Sequence, residues 1–212
     1  MANSKLKLIL ASTSPRRKEL LGHLKIPFEI LSENVPEETE HSNPSEYCRY
    51  LSQIKGLAVA VKLKANRSDE SFLIVSADTI VSLGDRIFNK PADRNEARDI
   101  LNVLSGKTHS VFTAVTMLLV HDNKEISHSF VDESLVSFDI ISHEVMERYL
   151  DTGDSLDKAG AYGIQNGSLM FISKVNGNYS TVVGFPLSRF VKEVESFLNQ
   201  TFKAEAAWQK LF

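Results

Sequence analysis

The sequence predicts an α/β fold: a mixed, twisted sheet with helices on both sides and two lobes around a central cleft. Three observations predict it. Apolar runs of strand length, Leu8-Ile9-Leu10-Ala11 and Phe72-Leu73-Ile74-Val75, alternate with amphipathic helical stretches. Two long strand-like segments, 110–120 and 126–141, are joined by the polar turn Asp122-Asn123-Lys124. Crossovers and hairpins therefore occur in one chain, which suits neither an all-α nor an all-β protein. At 212 residues the chain can bury a proper core as one large domain or two small lobes.

The elements follow in order. After the first strand, Ser14 is a good N-cap and Pro15 is pre-organised for the first helical position. A polar segment, 33–43, precedes Pro44, which opens a long helix with Tyr47, Leu51, Ile54, Leu57, Ala58 and Val61 along its expected apolar face. That helix fades at residues 64–69. Asp93 can cap the next helix with Glu96 at its third position, and Gly106 ends it. Ser142 caps another helix that stops at Gly153. Segments 168–175 and 179–183 flank Asn176-Gly177, a hairpin signal. Pro186 begins the last helix, with Leu187, Phe190, Val191, Val194, Phe197 and Leu198 as its core stripe. Residues 1–198 read as one domain of two lobes, and 199–212 as a weakly patterned tail.

Composition narrows the function classes. A hydrophobic content of 42% and a charged content of 24% describe an ordinary globular protein. The net charge of −3 supplies no global field for nucleic acid, so any phosphate recognition must be local. Cys48 is the single cysteine, which excludes an internal disulfide and a zinc cluster built on several thiolates. Residues 1–5 lead straight into a strand-length run rather than a signal-peptide core, and no segment is apolar enough to span a membrane. The chain reads as cytosolic. The six histidines show no metal-binding spacing, and Gly-x-Ser-x-Gly is absent, so covalent catalysis is poorly supported.

Several residues carry chemistry instead. Arg16 and Arg17 fall in the first turn of a helix, where side-chain electrostatics would prefer acids. Two guanidinium groups beside free N–H groups make an anion site, and phosphate oxygens suit arginine's paired donors. Asp78 follows a buried strand, where open α/β sheets put ligand-facing groups; it can hold a divalent cation, take a proton from water, or cap the following turn. Thr79 beside it can donate to a ligand or serve as a β-branched strand residue. Lys90-Pro91 places a cation rigidly. Lys55, one residue off the apolar stripe and next to Gly56, can reach inward or snorkel outward. The string Ser155-Leu156-Asp157-Lys158-Ala159-Gly160-Ala161-Tyr162-Gly163-Ile164-Gln165 reads as a ligand loop or a structural turn. In the first case Tyr162 packs against a base or ribose and Gln165 offers an amide. His109 reads as a satisfied buried histidine, and Cys48 as a mid-helix residue without a partner.

Taken together these strings resemble the Maf family of nucleoside triphosphate pyrophosphatases, related in fold to the inosine triphosphate pyrophosphatases. The matching stretches are Leu10-Ala11-Ser12-Thr13-Ser14-Pro15-Arg16-Arg17, Ala77-Asp78-Thr79-Ile80-Val81, Lys90-Pro91 and Leu104-Ser105-Gly106-Lys107-Thr108-His109-Ser110-Val111. Thr113-Ala114-Val115, the Asp157 to Gln165 run and Val182-Val183-Gly184-Phe185-Pro186 continue the match. The resemblance implies hydrolysis between the α and β phosphates, giving a monophosphate and pyrophosphate, with Mg, Mn or Co as divalent cofactor. It implies Asp78 as the base that activates water, with Arg16, Arg17, Lys55 and the catalytic Lys90 on the phosphates and Ser12 among the substrate-binding groups. It also implies a second acid for metal or water before the long helix. Glu37 and Glu38 compete for that place, and Glu38 is preferred.

Arg16, Thr79 and Gln165 match the family's substrate-selecting positions in the branch acting on dTTP, UTP and modified pyrimidine nucleotides. The alternatives are 7-methyl-GTP hydrolysis and a non-catalytic nucleotide-binding regulator of cell division. Homodimers are common in the family; neither nucleic acid nor membrane is an expected partner. Two departures from the family pattern stand out: Ser76 where glycine usually precedes Ala-Asp, and Gly56 where alanine usually follows the lysine. Asn166-Gly167-Ser168 replaces a more glycine-rich stretch after Gln165.

Overall fold

The computed structural model describes residues 6–122, 124–202 and 208–212. Strand β1 (Lys7–Leu10) runs into helix α1 (Pro15–Gly22), then β2 (Phe28–Ile30) and the long α2 (Pro44–Asn66). Strands β3 (Phe72–Leu83) and β4 (Arg86–Phe88) lead to α3 (Arg94–Leu104), followed by the hairpin strands β5 (Thr108–His121) and β6 (Lys124–Phe138). Helix α4 (His143–Asp151), strand β7 (Ile172–Asn176), the short α5 (Tyr179–Val183) and α6 (Leu187–Phe202) complete the order. The expected turn residue Asn123, residues 1–5 and residues 203–207 of the expected tail lie outside the described residues.

The seven strands among the described residues form one mixed sheet, in the order β2-β1-β3-β5-β6-β7, with β4 added to β3. β1 pairs in parallel with both β2 and β3, and the remaining pairings are antiparallel. β3 is buried along nearly its whole length because both its faces are covered, which explains its unbroken apolar start. One edge of β3 is paired with β5 from Phe72 to Ser82. On the other edge β1 ends at Val75 and β4 begins at Val81. Residues 76–80 therefore line a notch in the sheet, and Asp78 stands at its centre.

The pleat sets two separate apolar clusters along one face of the sheet. On one face Leu73, Val75 and Ala77 join Val115, Met117 and the α6 side chains Phe190, Val194 and Leu198 in one apolar cluster. Further along the same face Val81 and Val111 join α3 and α4 in a second. Between them the same register carries Thr79, Thr113 and Asp132, directly opposite one another on β3, β5 and β6. A polar rung thus divides the face, and the cleft opens at its β3 end. On the opposite face α2 covers Ile74 and Leu118, and a second rung joins Ser76, Thr116 and Ser129, with Ser52 Oγ 2.8 Å from Thr116 Oγ1.

Several expectations need correction. The buried face of α2 is Cys48, Leu51, Ser52, Gly56, Val59, Ala60 and Leu63, whereas Leu57 and Val61 are 48% and 70% exposed. Small residues let the helix approach the polar rung, so the larger apolar side chains turn outward. Segment 179–183 is a helix and not a hairpin strand: Asn178 accepts from Ser180 N–H, and Gly184 ends the turn at φ 116°. Local capping overrode the β-branched composition; β7 pairs with β6 instead. β6 stops at Phe138, leaving Ile140 exposed, because Asp139 leaves the ladder to accept from Gly106 N–H. α6 continues to Phe202, and Trp208 is buried in the first apolar cluster while Leu211 accepts from Leu6 N–H. The strands β2 and β4, three residues each, carry no periodicity long enough to read. No helix among the described residues is long and apolar enough to cross a membrane.

Candidate active site

The notch opens into a cleft of about 840 Å³ including its mouth, lined by Arg16, Arg17, Lys55, Asp78, Thr79, Lys90, Tyr162 and Gln165 among others. Its walls come from distant parts of the chain, each placed by local rules. Ser14 caps α1 by accepting from Arg17 N–H, and no acid balances the helix's first turn. Arg17 is held in the wall: Nε donates to Gly184 O at 3.0 Å, Nη1 to Ser12 Oγ at 3.3 Å and Nη2 to Thr79 Oγ1 at 3.2 Å. A guanidinium has five N–H donors, so two remain for an anion in the cleft. Burial pushes Arg17 below the ordinary arginine value, against the pull of Asp78. Arg16 sits nearer the mouth, 3.4 Å from Asp157 Oδ2 across the cleft.

From the opposite face of the sheet, Lys55 of α2 places Nζ 2.5 Å from Asp78 Oδ1 and 2.7 Å from Glu37 Oε1. Burial opposes the Lys55 charge, yet attraction and hydrogen bonding from Asp78 and Glu37 outweigh it and raise its pKa above the usual lysine value. The inward reading of Lys55 holds, and the backbone behind Asp78 is pinned as well. The buried Cys48 thiol donates to Asp78 O at 3.2 Å and accepts from Ala114 N–H at 3.3 Å, so the expectation that Cys48 has no partner is wrong. Burial raises its pKa, which keeps it a neutral thiol. Ser12 is buried, with its oxygen accepting from Ser14 N–H as well as from Arg17.

The 155–165 string does line the cleft, but part of it is structural. Gly160, at φ 70°, approaches Val81 so closely that an added Cβ would lie 2.7 Å from its side chain. Gly160 N–H also donates to Asn89 O, tying the loop to the segment that carries the exposed Lys90. Tyr162 turns its hydroxyl into the core, 2.8 Å from His109 Nε2, and its ring packs on Phe138, so it is no free stacking platform. Burial lowers His109 to about 4, which keeps it neutral; the residue is buried as expected, but it is only half satisfied, since Nδ1 has no partner among the described residues. Gln165 is exposed at the rim, its amide uncommitted among the described residues. The second acid is the open case: Glu37 reaches Lys55, while the structure does not bring Glu38 to the pair. Sequence reasoning gave no role to Asp157, Thr113 or Gly184; the only signal for them was their place in the matching strings.

Residues 7–197 match the family model described as Maf-like protein, which is most of the chain. The chain belongs to the Maf family. Among curated Maf relatives, the dTTP/UTP pyrophosphatase of Thermoanaerobacter sp. (strain X514) is 40% identical over 184 residues, 87% of this chain and 93% of its own. The dTTP/UTP pyrophosphatase of Bacillus cereus (strain G9842) is 41% identical over 192 residues, 90% and 95% of the two chains. The Maf match ends before Trp208, whose burial nevertheless makes the C-terminal segment part of the core.

Proposed function

We propose that this chain hydrolyses dTTP, UTP and modified pyrimidine triphosphates at the α–β phosphoanhydride, releasing a monophosphate and pyrophosphate. One observation carries the reading: the nearly buried carboxylate of Asp78 shares an open cleft with Lys55, Arg16, Arg17 and Lys90, while the second lining acid, Asp157, is exposed and paired with Arg16. Phosphoanhydride hydrolysis needs an oriented, deprotonated water and cations to neutralise charge on the phosphate oxygens. Asp78 takes the proton from water. Lys55 orients Asp78 and adds positive charge beside it. Arg17 offers its two remaining N–H groups as a fork, while Arg16 and Lys90 neutralise charge nearer the mouth. Ser12 supplies a hydroxyl behind the fork, and Gln165 presents its amide to the base edge.

The donor set fits a divalent cation of the Mg, Mn or Co type. No group of three His, Cys, Asp or Glu side chains among the described residues is poised for a metal. Asp78 and Glu37, however, already converge on one cation, the Lys55 ammonium. Two carboxylates are what such ions take from protein when substrate phosphates fill the remaining positions. Asp78 and Glu37 would hold it, in place of the expected Glu38. When bound, the ion neutralises phosphate charge and polarises the reacting bond.

A panel of dTTP, UTP and 7-methyl-GTP with each metal, scored for pyrophosphate, tests the reading. Turnover of the two pyrimidine nucleotides is expected to dominate, and Asp78→Asn to lower kcat by about 10²–10⁴-fold while nucleotide binding persists. Binding without pyrophosphate release, or an Asp78→Asn variant as active as the parent, overturns it.

A further inference from the structure

The polar rung that divides the sheet has a direction. Thr113 is completely buried, and its hydroxyl donates to Thr181 O at 2.7 Å. A hydroxyl carries one proton, and a carbonyl has none to give. The 3.0 Å contact between Thr79 and Thr113 therefore has a single polarity: Thr79 donates to Thr113. Arg17 Nη2 in turn donates to Thr79 Oγ1. Thr79 thus meets the cleft with its proton committed and one lone pair left, and the expectation that it can donate to a ligand is reversed. The far end is held too: the Thr181 hydroxyl donates to Asp132 Oδ2 at 2.5 Å, and Arg189 Nη1 holds the other Asp132 oxygen at 3.1 Å. The α5 carbonyl that takes the Thr113 proton is thereby fixed in place.

We propose that Thr113, which does not line the cleft, determines base specificity by making Thr79 an acceptor, so that the group seated against Thr79 is the imide N–H of a uracil or thymine ring. A phosphate oxygen only accepts, and so does the unprotonated ring nitrogen at the same position of cytosine; two acceptors facing each other repel. A site built around one hydrogen-bond polarity rejects the analogue lacking the matching group, because its own polar atom is left unpaired. Thr113 is a positioning residue in this scheme, acting through Thr79. The inference rests on the nucleotide reading of the cleft and adds how the uracil-type ring is selected.

Calorimetric binding of UMP and CMP separates the inference from the chemistry of hydrolysis. The parent is expected to favour UMP, and Thr113→Ser, which keeps both donor and acceptor, to retain that preference. Thr113→Val frees the Thr79 proton to turn toward cytosine, and should lower the UMP-to-CMP affinity ratio by about tenfold. An unchanged ratio in Thr113→Val, an equal loss in Thr113→Ser, or a parent without preference overturns the proposal. If Thr113→Val does not fold, the Thr79 hydroxyl proton in the parent decides: slow exchange by NMR supports commitment to Thr113, and exchange at the solvent rate refutes it. A parent that prefers UMP yet releases no pyrophosphate from UTP refutes the hydrolase reading alone.

Discussion

Lys55 Nζ lies 2.5 Å from Asp78 Oδ1, an ion pair that bridges α2 and the notch of β3 with its carboxylate partner nearly buried. The pair lies on the α2 face of the sheet, at the stretch of β3 between the β1 and β4 pairings, where the outer edge has no neighbouring strand. It supplies both the charge balance that tolerates a carboxylate there and the geometry that aims it.

Removing the amine tests both roles. Lys55→Met should reduce kcat/KM by about 10²-fold or more, as loss of a preorganised charge does, and destabilise by about 1–3 kcal/mol by leaving a carboxylate partly unpaired. Because the folded pKa of Lys55 is raised, the stabilisation is fully present below the unfolded lysine value of about 10.4 and is lost as pH rises through the folded value. Denaturant titrations of parent and variant at neutral and alkaline pH measure it: the difference between them should shrink on the alkaline side.

The two arginines should separate cleanly. Arg17 bonds to Ser12, Thr79 and Gly184 on three different segments, so Arg17→Ala should cost about 2–4 kcal/mol in folding as well as raise KM. Arg16 makes one long contact with the exposed Asp157, so Arg16→Ala should cost under about 1 kcal/mol while still raising KM. Equal losses of stability would mean that Arg17 is not the wall of the cleft.

Gly56 and Ser76, two of the departures from the family pattern, face each other across α2 and β3. A Cβ at Gly56 would lie 2.7 Å from Ser76 Oγ, which itself donates to Ser52 O at 2.6 Å. Gly56→Ala alone should therefore destabilise by about 1–3 kcal/mol through overpacking. In a Ser76→Gly background the same change should stabilise by about 1 kcal/mol through helix propensity. A double-mutant cycle without a coupling of that sign would break the link between the two departures.

His109 sets an acid limit. Its folded pKa of about 4 lies below the unfolded value, so the unfolded chain binds the extra proton first and stability falls as pH drops from about 6.5 to 4. A shift of that size corresponds to ~3 kcal/mol when complete. Nδ1 has no partner among the described residues, so protonation would strand a charge beside Phe138 and Tyr162. Unfolding free energies across this range should slope less steeply in His109→Gln than in the parent.

Local chemistry explains what could be read without coordinates. The Ser14, Asp93 and Ser142 caps and the buried apolar runs of β1 and β3 depend on neighbours a few residues away, and all appear as expected, whereas the inward turn of Lys55, open against snorkelling, was decided by Asp78, 23 residues on. The arginines at an acid-free helix start were legible for the same local reason; Asp78, expected past the end of a strand, stands instead midway along β3, at the gap between β1 and β4.

Where contacts span many residues, the chain alone left the choice open. Both faces of α2 offer apolar side chains, and only docking Ser52 and Gly56 against β3 and β5 selected one. Adjacent acids at 37 and 38 are chemically alike; the position of Lys55 favours the first. A threonine hydroxyl has no inherent polarity, so whether Thr79 gives or takes a proton was decided by Thr113 and a carbonyl of α5, brought together by strand register. Capping and periodicity act within a few residues and are written into them, whereas hydrogen-bond direction belongs to the assembled network.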